Sequence, residues 1–114
     1  MINKDEILLK EKENDGKSVF LYFDDIIGLY LAFGPSAYYT TMVTNPFISF
    51  SKVMDMPVAL LRRAHILYLR QGLIKIEHRQ RDFYRFETKQ LLGMAGYEKW
   101  EQGIRNKHRV NIEK

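Results

Sequence analysis

The side chains of this 114-residue chain that could do chemistry are carboxylates, histidines and arginines. Asp24 and Asp25 stand side by side, and paired oxygens suit a magnesium-like cation. Adjacent strand residues point to opposite faces, however, so the two do not converge, and capping of a turn is the better reading. Asp24, Glu77 and Asp82 could assemble a metal-dependent nuclease site, but the lysine expected two residues after Glu77 is Arg79. His65, His78 and His108 are scattered without metal-ligand spacing. The chain has no glycine-rich phosphate loop, no Walker lysine, no serine in a nucleophile elbow and no cysteine. The expectation is a protein that is not an enzyme and carries no cofactor and no metal.

The arginines point to binding. Arg79, Arg81 and Arg85 flank Phe83 and Tyr84, and basic residues interleaved with aromatics bind phosphates and stack bases. The competing reading is an exposed hairpin whose arginine stems cover apolar surface. Charge is unevenly placed: residues 1–61 hold 5 Lys/Arg against 8 Asp/Glu, and residues 62–114 hold 13 against 6, within a net of +4. A basic back half suggests a polyanionic partner, DNA or another nucleic acid. The candidate contact residues are Arg62, Arg63, Lys75, Arg79, Arg81, Tyr84 and Arg85.

These residues need elements to hold them. Val19–Phe23 and Leu29–Phe33 are short β-branched and aromatic runs joined by an acidic link, which predicts an antiparallel hairpin. Gly34-Pro35-Ser36 then starts a helix, with Ser36 as cap or Pro35 in the first turn. Asn45-Pro46 ends that helix, and Phe47–Val53 alternates as a strand that could reach Met56. Pro57 opens the longest helix, Val58 to Gln71, with Leu60, Leu61, Ala64, Leu67 and Tyr68 as its apolar stripe, widened by Ile66 and Leu69, and Gly72 as its stop. Leu73–His78 and Phe83–Phe86 form a second hairpin, and Gln90–Ile104 a packing helix. The fold class is therefore mixed α/β. It is a small sheet with an N-terminal hairpin, a long central helix and a C-terminal helix, in the order β-β-α-β-α-β-β-α.

One domain over 19–104 is expected, after a flexible lead-in over 1–18 and before a polar tail over 105–114. The lead-in could hold a short helix or an edge strand over Glu6–Glu11. No apolar run approaches the length of a membrane span, and the start has no signal-peptide apolar region, so a cytoplasmic protein without membrane contact is expected.

Residues 19–77 resemble the N-terminal mismatch-recognition domain of the DNA mismatch-repair protein MutS. The segment from Val19 to Ala37 matches without a gap, with Tyr30, Phe33 and Ala37 on the family's Tyr, Phe and Ala. Ile48–Lys52 matches its strand Ile-Ser-Leu-Thr-Lys, Met56-Pro57 its Gly-Val/Ile-Pro turn, and Pro57 to Gly72 its helix spacing. The resemblance implies a MutS domain I-like fold and a place in DNA repair. It does not carry the recognition chemistry. The family's base-reading Phe-x-Glu falls on Leu29 and Leu31, and Leu31 has no hydrogen-bonding group.

Residues 50–88 also resemble a winged helix of transcription regulators, with a short helix at Phe50–Asp55, a recognition helix at Pro57–Gln71 and a basic wing at Lys75–Phe86. The leading expectation is a small binding module contacting nucleic acid through its basic half. The alternatives are a winged-helix DNA-binding regulator and a protein-interaction domain with no nucleic-acid role.

Overall fold

The computed structural model describes residues 3–14, 16–72, 74–80, 83–88 and 92–113, the side chains of 74–76, 80 and 109–113 excepted. Helix α1 (Lys4–Lys12) begins at Asn3, whose Oδ1 accepts the Asp5 N–H at 2.8 Å and the Glu6 N–H at 3.2 Å. The expected loose lead-in is thus partly a packed helix, because it buries Ile7 and Glu11. Strands β1 (Ser18–Asp24) and β2 (Leu29–Phe33) form the expected hairpin. Asp24 turns it: its Oδ1 accepts the Ile26 N–H at 2.9 Å and its carbonyl accepts the Gly28 N–H at 2.8 Å.

Gly34 joins β2 to helix α2 (Pro35–Thr40), which has Pro35 in its first turn. Gly34 sits at φ 54°, ψ −123°, a conformation that favours glycine, and its N–H donates to the Pro57 carbonyl at 2.9 Å. A Cβ there would stand 3.1 Å from Met56 Sδ. Gly34→Ala should therefore destabilise the protein by about 1–3 kcal/mol, read as a lower urea midpoint. An unchanged midpoint would mean that the turn relaxes freely.

Strand β3 (Phe47–Ser51) pairs with β4 (Met56–Leu61), and β4 pairs with β2. Two expectations fail here. The long helix does not begin at Val58: residues 56–61 are an interior strand, and α3 is Arg63–Gly72. A central strand buries both faces, so Val58, Ala59 and Leu61 form the continuous apolar run that also looks like a helix stripe. Pro57 is tolerated because it lies where the β2 ladder ends. The shortened helix buries Ile66 and Leu69, expected only to widen its apolar stripe, while Leu67 and Tyr68 of the stripe are exposed. The winged-helix arrangement is lost with the same residues, since Phe47–Ser51 is a strand in the sheet where that fold wants a helix.

The second hairpin is β5 (Ile74–Gln80) and β6 (Phe83–Thr88). Helix α4 (Tyr97–Glu113) starts later than expected, after Gly96 at φ 83°, and continues through the expected polar tail. The described strands make one antiparallel sheet in the order β3-β4-β2-β1-β6-β5. On one face Val19, Leu21, Ala32, Ala59, Leu61, Tyr84 and Phe86 pack with Ala37 and Tyr39 of α2, Ile66 and Leu69 of α3, and Trp100 of α4. On the other, Tyr22, Phe33 and Val58 pack with Ile7 of α1 and with Met54. No described helix is long and apolar enough to cross a membrane.

Candidate nucleic-acid interface

Antiparallel partners share a face of the sheet, so the register decides which arginines can act together. Arg79 lies opposite Tyr84, which lies opposite Leu21 on the α3 side. Arg85 lies opposite His78 and Phe20, on the α1 side. The expected basic hairpin is therefore split between two faces.

On the α3 side the side chains form a cluster. The Arg79 guanidinium carbon is 4.9 Å from the centre of the Tyr84 ring, and its Nη2 donates to the Tyr84 hydroxyl at 3.1 Å. The Tyr84 ring is 5.4 Å from Tyr30, which is 5.0 Å from Phe23. The bond from Arg79 holds the Tyr84 hydroxyl below its ordinary pKa, whereas burial, then the bond to Tyr84, pushes Tyr30 up. Arg63, in the first turn of α3, and Arg79 both act on Tyr30 as cations. Arg62 and Arg63 are exposed. Arg62 sits where α3 starts: its N–H donates to His65 Nδ1 at 2.9 Å and its carbonyl accepts the His65 N–H at 3.0 Å.

Tyr84 does not present a stacking face as expected. It is 8% exposed and serves as the platform under Arg79. Arg85 donates to Glu87 at 3.1 Å, and Glu87 also contacts His78 Nε2 at 3.2 Å; His78, then Arg85, holds the Glu87 carboxyl below its ordinary range. The Lys75 side chain and Arg81 lie outside the described residues, as does Asp82. Leu29 and Leu31 belong to the α1 side, where Leu31 packs against the Ile7 cluster. Glu77 bonds Arg70 at 2.9 Å, and among the described residues no group of three His, Cys, Asp or Glu side chains could hold a metal ion.

The cluster can offer exposed guanidinium donors to phosphate oxygens, with Arg79 anchored by the ring and hydroxyl of Tyr84. Tyr30 is the member that residue types alone do not reveal. It becomes a neighbour of Tyr84 because β1 separates β2 from β6 in the sheet.

No family model matches the chain, and no curated protein or solved structure is significantly similar to it.

Proposed function

We propose that the chain is a small non-enzymatic binding module that contacts nucleic acid through Arg62, Arg63 and Arg79, on a fold of the MutS domain I kind. What supports the fold reading is the order of hairpin, short helix and strand over Ser18–Ser51; the likeness stops at Met56–Leu61, where a strand stands in place of the family's turn and helix start before α3 runs to Gly72. The observation that carries the function is the exposed Arg79 guanidinium held over Tyr84, beside Tyr30. Mismatch reading is not part of it. Leu29 and Leu31 share the α1 side of the sheet, opposite the arginine cluster, and offer no polar atom.

Binding to duplex and single-stranded DNA, measured against salt, tests the reading. Affinity should fall steeply with salt, and Arg63→Ala and Arg79→Ala should each lower the log–log salt slope by about 1. Arg85→Ala should leave the slope unchanged, since Arg85 lies on the other face with Glu87. Mispaired and fully paired duplexes should bind alike. Absence of binding at low salt, or equal effects of all three substitutions, would remove this function.

A further inference from the structure

Strand β3 is one edge of the sheet, and no described strand pairs with its outer side. Phe47-Ile48-Ser49-Phe50-Ser51 holds no charge and no proline, the usual protections of such an edge. Its outward hydrogen-bonding groups can be identified. Pro57, opposite Phe50, has no N–H, and its carbonyl accepts from Gly34 on the β2 side. Phe50 and Pro57 are thus a non-hydrogen-bonded pair, and Phe50 and Ile48 turn their N–H and C=O groups away from β4.

Helix α4 runs beside this edge. The His108 ring is 5.5 Å from the Phe50 ring. Between strand and helix lies an open groove of about 500 Å³, lined by Phe47, Ile48, Phe50, Ile104, Lys107 and His108 among others. Phe47 is 67% exposed. His108 Nε2 is buried and has no hydrogen-bond partner among the described residues. Among the described residues no acidic side chain lines the groove.

We propose that this groove binds an extended acidic peptide as an added strand along β3. The edge dictates the extended backbone, since Ile48 and Phe50 offer main-chain donors and acceptors to a strand in register. Alternate peptide side chains enter the groove over Ile48 and Ile104, beside a Phe50 ring that Arg105 and His108 cover, and a peptide carboxylate at the rim meets Lys107. A second copy of this chain fits less well: its own β3 brings no carboxylate to Lys107.

The test is selection from a random peptide library against the full chain, followed by synthesis of an enriched sequence. The expected sequences alternate apolar residues and carry Asp or Glu. Lys107→Glu, a change at an exposed position, should weaken the selected peptide roughly tenfold. N-methylation of the peptide amides facing β3 should weaken it roughly tenfold or more, and methylation of the intervening amides should change little. The amides of Ile48 and Phe50 should gain protection from exchange. Failure to enrich, sequences without acidic bias, binding indifferent to Lys107→Glu or to the methylation register, or a dimer of the free chain that occupies β3 would each overturn the proposal.

Discussion

Raising the pH from 4 to 8 should weaken the fold by about 3 kcal/mol through Glu11 alone, and Glu11→Gln should remove that loss. Glu11 is 4% exposed. Its carboxylate lies at the start of α2, where Oε1 accepts the Ser36 N–H at 3.0 Å and Oε2 accepts the Ser36 hydroxyl at 2.7 Å. Asn14 Nδ2 adds a longer bond at 3.3 Å. These bonds favour the charged form, but burial outweighs them and lifts the pKa from 4.5 to about 7. The folded protein therefore holds this proton more tightly than the unfolded chain. Below pH 4.5 both states are protonated and the stability is fully present. Between 4.5 and 7 the unfolded state ionises first, so stability falls, and above 7 both are charged and the loss is complete. At about 1.36 kcal/mol per pKa unit the difference is ~3 kcal/mol. Glutamine keeps an acceptor for the Ser36 N–H without a charge to bury; it loses the acceptor for the Ser36 hydroxyl, an offset that is the same at every pH. Urea unfolding of both proteins at several pH values is the measurement. The Glu11→Gln variant should gain on the parent as pH rises. Parallel pH profiles would show that Glu11 is ionised at no net disadvantage.

Phe86→Ala should cost about 3–5 kcal/mol, and Phe83→Ala roughly 1–2 kcal/mol, although both remove the same ring from the same strand. Phe86 is 0% exposed and packs in the cluster formed with α2, α3 and α4, opposite Val19. Removing it leaves a void that rigid neighbours fill only in part. Phe83 points to the other face. It is half-buried, stacked on Phe20 at 6.0 Å and under the Lys10 ammonium at 5.2 Å. That face is covered by α1 and Met54, and the partly exposed α1 side chains beside Phe83 can follow a smaller neighbour. Urea midpoints at constant m separate the two substitutions. Equal losses would mean that the two faces are equally well sealed.

The candidate cluster was legible in part. Arg79 and Tyr84 stand a few residues either side of a turn, so a hairpin brings them together whatever the rest of the chain does. The removal of Arg85 to the other face follows from alternation, because Arg85 directly succeeds Tyr84 in one strand. Tyr30 and Arg63 carry no such local signal. Tyr30 reaches Tyr84 through the order of the strands, and Arg63 acts on Tyr30 from the start of α3.

By itself, the sequence determined the local features: the two hairpins, the Asp24 turn, the Pro35 helix start, the Gly72 stop and the basic second half. Each rests on a few adjacent residues whose backbone preferences do not depend on their surroundings. Tertiary structure alone decided that Met56–Leu61 is a strand. An apolar run covered on both faces has no period, and only the neighbours β3 and β2 distinguish it from a helix. It likewise decided that α1 seals the second face, since a helix with few apolar residues is held by what it packs against rather than by its own pattern. The arginines were visible from composition, but which of them share a surface is a property of the sheet order.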